Sequence, residues 1–439
     1  MKPPNDLATR LAVGLTFLTL LGGCTGGAVP SPSASDSPMS ALASPSSLSS
    51  PSPVGALSPS TSPTEEPIPT PVPTSPAEPR WERVPDQQAF VDSSMVAVAG
   101  GPDRYVAVGW ARLADDQGVG MTWTSTDGVA WRRASAPLAG GDAVGVIHDR
   151  VGYVAWGGGV VFWTSPDGES WSRPSNTASS GGDEWVTGVA RLGNDLVAVG
   201  YAEIASGNDV VHEFRTWTSP DGLAWKSVSP VTSIPWDGSV DGVTASKGAL
   251  VAWGYARVGD QFPPVSLRST DGRQWEVGGT GLKNEAYQRE GIIDIVGEGG
   301  HLVAVGHGPE RGAGPPPPPS AAWTSADGLA WTPAQFRPEP SGGWLLHVAW
   351  WDGEYVALGL SGIDPVVWRS VDGTMWMQSE SAPDAGRDGE AEGCVGGRCP
   401  FTVVNDLAGG PAGLVAVGGN HSTSGHEETV VWIAATDGH

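Results

Sequence analysis

Trp217-Thr218-Ser219-Pro220-Asp221-Gly222-Leu223-Ala224-Trp225 reads as a tight hairpin with a tryptophan at each end. Asp at the bend can accept backbone N–H groups, and the Gly beside it supplies the positive φ that a short reversal requires. The string recurs as Trp-x-Ser-x-Asp-Gly-x-x-Trp at Trp123–Trp131, Trp163–Trp171, Trp323–Trp331 and Trp368–Trp376. Leu267–Trp275 is a copy without its first Trp. A seventh copy starts at Trp432 and reaches Asp437-Gly438-His439 without a closing Trp. Near the front, Trp81-Glu82-Arg83-Val84-Pro85 resembles the stretch that begins at a closing Trp elsewhere, as in Trp225-Lys226-Ser227-Val228. A ring is therefore expected in which an N-terminal strand completes the last repeat and removes an exposed sheet edge.

A second string precedes each hairpin: Tyr105–Gly109, Tyr153–Gly157, Leu196–Gly200, Leu250–Gly254, Leu302–Gly306, Tyr355–Gly359 and Leu414–Gly418. These are near-continuous apolar runs, as expected of a strand covered on both faces. Before each lies another short apolar segment and a tight turn. One repeat is thus four antiparallel strands, and seven repeats predict an all-β, seven-bladed β-propeller over residues 80–439. Thirteen of the 21 Trp belong to the hairpins, counting Trp81, so they are assigned to packing, each pair against itself and the next blade.

Ser-x-Asp-Gly-x-x-Trp resembles the Asp-box (BNR) repeat, in a form one residue shorter between Asp and Gly. The resemblance covers residues 80–439 and makes Asp127, Asp167, Asp221, Asp271, Asp327, Asp372 and Asp437 the structural Asp-box positions. In that family, which includes sialidases, other glycosidases, sorting-receptor ectodomains and a photosystem assembly factor, the box lies on the outer rim and carries no activity. It implies an architecture and leaves function to be argued from the site.

Ahead of the repeats, Lys2 and Arg10 give a basic start, and Leu11–Leu21 is an apolar run too short to span a bilayer. Leu21-Gly22-Gly23-Cys24 resembles a bacterial lipobox, which implies a signal peptide over 1–23 and lipidation of Cys24; a plain cleaved signal is the alternative. Residues 25–79 hold 14 Pro and 15 Ser with no Lys or Arg, too little apolar surface for a core. As a semi-extended tether of roughly 3.1 Å per residue, the 24–79 linker would reach at most about 170 Å. The expected product is an extracytoplasmic lipoprotein, a monomer held to a membrane through its anchor alone. A net charge of −24 argues against nucleic-acid and anionic-lipid partners. Cys394 and Cys399 remain as an even pair that an oxidising compartment would join as a disulfide, zinc being the rival reading. No cofactor or resident metal is expected, although Asp115-Asp116 and the group His421, His426, Glu427 and Glu428 offer weak cation ligands.

Length varies in the connections from second to third strand and from blade to blade. Both emerge on one face of a meander, where a binding site is expected. That face should carry Trp110, Trp185, Tyr201, Trp236, Tyr255, Tyr287, Arg289, Glu290, His307 and Trp344, with carboxylates such as Asp142, Asp183 and Asp237. Aromatic rings beside carboxylates suit a glycan or peptide. Pro315–Pro319 reads as a stiff spur. A sialidase would need an arginine cluster, for which the face offers Arg112, Arg257, Arg289, Arg311 and Arg337, together with a Tyr–Glu pair such as Tyr287 and Glu290. The Phe-Arg-x-Pro motif of that family is matched only loosely, by Phe336-Arg337-Pro338, and its catalytic domains have six blades. The expectation is therefore a non-catalytic binding or scaffolding module for a glycan, cell-wall component or envelope protein. A glycoside hydrolase using a carboxylate pair is the alternative.

Overall fold

The computed structural model describes residues 80–113, 117–174, 183–206, 209–233, 237–257, 262–279, 281–282, 284–285, 288–298, 301–309, 318–362, 364–384, 401–421 and 427–435. Cys24, Asp115, Asp116, Trp236, Tyr287, Arg311, Pro315, Cys394, Cys399, His426 and Asp437 lie outside the described residues, as do the side chains of Arg289, His421 and Glu427.

Each Asp-Gly bend among the described residues is closed by its own side chains. Asp221 Oδ1 accepts the N–H groups of Leu223 at 2.9 Å and Ala224 at 2.8 Å, while Ser219 Oγ donates to Asp221 and accepts from Gly222 N–H. Asp127, Asp167, Asp271, Asp327 and Asp372 repeat the two backbone bonds. The box Gly residues take φ between 70° and 81°. The box is thus a self-contained turn, which is why its sequence recurs while the loops around it change.

The strands assemble as seven antiparallel blades of a β-propeller. Blade one is Ser93–Gly100, Tyr105–Arg112, Gly118–Ser125 and Arg132–Arg133, ordered from the axis outward. The inner strands of blades two to seven are Ala143–Asp149, Asp183–Leu192, Gly238–Ser246, Gly291–Val296, Trp344–Trp351 and Phe401–Gly410. Neighbouring blades touch all the way round, the seventh against the first included. Arg80–Arg83 pairs antiparallel with Glu427–Ala435 as the outer strand of blade seven, with Trp81 opposite Ala434.

Two departures from a uniform four-stranded blade appear. Blade two has its outer strand reduced to the bridge Thr164↔Ser172. Blades four and six gain a fifth, parallel strand from the incoming chain, Val231–Thr232 and Gln335–Arg337. The second of these places Phe336 on the outside of blade six, edge-on to Trp368 at 4.9 Å. The loose Phe-Arg-Pro match is therefore a packing element of the outer rim.

The expectation that paired Trp residues pack on each other gives way to a division of labour. The first Trp staples the connection that leads into its own blade: Trp123, Trp163 and Trp432 donate from Nε1 to the carbonyls of Ala89, Ala139 and Asp384. The closing Trp folds back over its own turn, as Trp131, Trp171, Trp225 and Trp376 do in donating to the box Gly carbonyl. Its ring meets the preceding blade: Trp225 stacks on Phe162 at 3.9 Å, and Trp275 lies edge-on to Phe214 at 5.3 Å. The box Gly presses there too, since a Cβ on Gly168 would stand 2.3 Å from Val106 Cγ2 of blade one.

Every inner strand carries one bulge, at Val96, Val144, Thr187, Asp241, Ile293, Leu346 and Asn405. This explains the Gly that ends each second-strand string. At the bulge an inner-strand carbonyl turns onto the neighbouring Cα, so a Cβ at Gly109, Gly157, Gly200, Gly254, Gly306, Gly359 or Gly418 would lie within 1.8–2.2 Å of that oxygen. Only Gly fits so close an approach.

Candidate functional site

The second strand of each blade runs from the face that carries the Asp-Gly bends to the opposite face, where the long connections emerge. Side chains at its far end, and at the start of the next inner strand, therefore collect around the mouth of the ring. In blade three the second and third strands, Asp195–Ser206 and Asp209–Ser219, extend furthest. Across the base of this hairpin Trp185 stacks on Tyr201 at 5.4 Å, and Tyr201 meets the His212 ring at 5.0 Å. His212 Nε2 stands 3.7 Å from Glu203 Oε1.

The chain of contacts continues into blade four. Asp237 Oδ1 accepts the His212 N–H at 3.2 Å, and its other oxygen is 3.4 Å from Arg257 Nη1. Arg257 in turn lies over the exposed ring of Phe262 at 5.9 Å. Between blades four and five, Gly291 is enclosed by the Tyr255 hydroxyl and His307 Nε2, which would stand 2.7 and 2.3 Å from a Cβ there. His307 then meets Trp344 of blade six at 5.5 Å. Trp185, Tyr201, His212, Tyr255, His307 and Trp344 thus follow the mouth over blades three to six.

Burial sorts these residues into floor and rim. Tyr201 and His307 are buried and support the others, while Trp110, Trp185, Tyr255 and Trp344 are half-buried. Burial also raises the Tyr201 hydroxyl, with Glu203 and Asp241 adding to the effect. Glu290 is buried, and Asp183 is exposed. Trp110 stands in blade one opposite Ser94, apart from this run of contacts. Asp142 opens blade two on the same face; burial lifts its carboxyl above the usual range against a hydrogen bond from Gly120. Arg112 and Arg257 are exposed at the mouth, whereas Arg337 belongs to the outer rim.

Neither His212 nor Glu203 belongs to a repeated string, and the sequence did not single them out. Both sit on the extension of the blade-three hairpin, and only a count of that hairpin's length against the other repeats could have flagged them. Beneath the mouth, at and just after the bulges, Asp241, Asp294, His347 and Asp406 line the inner edge of the ring.

No protein-family model matches the chain, and no curated protein matches it. Solved structures do, through their fold. One described as YCF48 bound to D1 peptide is 14% identical with a TM-score of 0.49, covering 83% of this chain and 97% of that one. A streptogramin B lyase is 10% identical with a TM-score of 0.46, over 81% of this chain and 97% of that one. Trypanosoma rangeli sialidase in complex with the inhibitor DANA is 11% identical with a TM-score of 0.39, over 80% of this chain and 57% of the sialidase. At these identities the likeness is one of fold alone.

Proposed function

We propose that the protein is a lipid-anchored, extracytoplasmic binding module that takes a glycan at the mouth of its propeller. The observation that carries this reading is the run of aromatic side chains over blades three to six, in which buried Tyr201 and His307 hold the half-buried rings of Trp185, Tyr255 and Trp344. Sugar rings present C–H faces that pack on such aromatics, while the carboxylates and Arg257 around them can meet hydroxyls. The Ser/Pro-rich stretch after Cys24 suits a domain carried away from a membrane toward a wall or envelope layer.

A glycan array probed with the full-length protein tests the reading. Trp185→Ala and Trp344→Ala should each weaken binding to any positive glycan about tenfold, the loss of roughly 1.4 kcal/mol of ring contact. Met377→Ala, exposed on the fourth strand of blade six, should bind as the wild type does. Equal binding by all three variants would remove the mouth as the site. One observation favours a glycosidase instead: Asp142 holds its proton above the usual carboxylate range on the same face, as a general acid would. Turnover of fluorogenic glycosides that Asp142→Asn abolishes would replace the binding module with an enzyme.

A further inference from the structure

The two faces of the extended blade-three hairpin treat their carboxylates differently. Glu184, Ala202 and Glu213 lie opposite one another across the three strands. On that face Arg215 pairs with both acids, at 3.4 Å to Glu184 Oε1 and 2.6 Å to Glu213 Oε2. The other face carries Trp185 opposite Tyr201 and, two residues further toward the tip, Asp183 opposite Glu203. Side chains two apart on a strand share a face, so the carboxylate pair stands about 7 Å beyond the stacked rings. Among the described residues no arginine or lysine pairs with Asp183 or Glu203, and Glu203 meets the His212 imidazole instead, at 3.7 Å.

Like charges placed directly opposite each other weaken a strand pair. Asp183 and Glu203 are both exposed, so neither fills the core, and the fold gains nothing from setting them side by side. A cation held between them would remove that repulsion. Blade four closes the same space with further carboxylates. Asp237 Oδ1 accepts the His212 N–H at 3.2 Å, and the Tyr201 hydroxyl feels the charge of Asp241 as well as that of Glu203.

Aromatic rings beneath carboxylates are the composition that holds an ammonium group. The ring face attracts the cation through its quadrupole, and the carboxylates accept its N–H bonds. A neutral sugar would use the rings but not the acids. We propose that the blade-three side of the mouth is an ammonium site, and that the glycan taken there carries free amino groups, as a de-N-acetylated hexosamine does. This rests on the glycan reading of the mouth and names the class of sugar. A hexosamine packed on Trp185 would turn its amino group toward Asp183 and Glu203, whereas an N-acetyl group in its place brings no charge to offset the two acids. The chain's net charge of −24 acts in the same direction at longer range, drawing cations toward the site.

Three probes of the full-length protein test the assignment: an oligomer of β-1,4-linked glucosamine, an N-acetylglucosamine oligomer of the same length, and spermidine. Binding is measured at about pH 6, where amines are protonated. The glucosamine oligomer should bind about tenfold tighter than its N-acetylated counterpart, a preference that shrinks as salt is raised. Asp183→Asn and Glu203→Gln should each cut the preference about threefold and leave the N-acetylated oligomer unaffected. Trp185→Ala should weaken both oligomers. Glu276→Gln, exposed on the fourth strand of blade four, controls for general charge and should behave as the wild type. Equal affinity for the two oligomers, lost in Trp185→Ala, would overturn the ammonium site and leave the glycan reading standing. A preference that survives when Asp183→Asn and Glu203→Gln are combined would also overturn it, by moving cation recognition elsewhere on an acidic surface. Spermidine binding as tightly as the glucosamine oligomer would overturn the assignment to a sugar, and so would the failure of both oligomers to bind.

Discussion

Gly168 separates two demands that a single residue type answers. Its φ of 74° is left-handed, and a Cβ would stand 2.3 Å from Val106 Cγ2 of the preceding blade. Gly193, in the turn between the inner two strands of blade three, has a φ of 58° but nothing within 4 Å of a Cβ. Gly193→Ala should therefore cost about 1 kcal/mol, the backbone strain alone. Gly168→Ala should cost roughly 1–3 kcal/mol more, because the box must also back away from Val106. Urea unfolding of the two variants measures the difference directly. Equal midpoints would mean that the box does not act as a wedge between blades. The Gly was legible in the sequence as a turn residue, but its second duty was not, because Val106 lies 62 positions away on another blade.

The strand that matters most among the elements is the shortest of its sheet. Arg80–Arg83 offers four residues to blade seven, yet Trp81 is buried in a cluster that includes Val356 and Leu358 of blade six and Val404 and Trp432 of blade seven. The strand is tied at both ends, by Trp81 N–H donating to Ser381 Oγ and Val84 N–H to Val431 O, each at 2.9 Å. Trp81→Ala should cost about 3–5 kcal/mol, as for other buried aromatic side chains. Deleting Arg80–Pro85 should lower the melting temperature further by baring the edge of Glu427–Ala435. An unchanged melting curve for the deletion would sink the view that this strand holds the ring shut. Additional ties join blades one and seven: Tyr105 Oη donates to Gly413 O and accepts Ala412 N–H, and the Ser93 and Thr429 hydroxyls pair at 3.0 Å.

For the molecule as a whole, the repeated turn carboxyls set how stability responds to acid. The box carboxyls of Asp167, Asp221, Asp271 and Asp327 are held below the usual range chiefly by the two backbone N–H groups that each accepts. At Asp127 and Asp372 burial is the largest influence and pushes upward, yet the donors together still hold the carboxyl low. Stability from these groups is present above the unfolded carboxylate value and is lost as pH falls through the folded one. The urea midpoint should therefore drop steeply below about pH 4, as the box turns lose their acceptors. Asp327→Asn should start lower and fall less. A wild-type midpoint that stays level into strong acid would show that the box carboxylates contribute nothing net.

The sequence by itself determined what is local and repeated. An Asp-Gly bend, a buried strand and a pair of Trp residues recur within spans of a few residues, and counting them predicts the number of blades. Only the tertiary structure decided what the repeats do to one another. It made the second-strand Gly a consequence of an inner-strand bulge and sent the closing Trp onto the preceding blade. It joined Trp185, Tyr201 and His212 to Tyr255, His307 and Trp344, and it brought Asp406 against Val98, 308 positions earlier. The physical reason is range. A hairpin's hydrogen bonds are satisfied within its own sequence and leave a local signature, whereas contacts across a closed ring depend on how blades of different lengths happen to align.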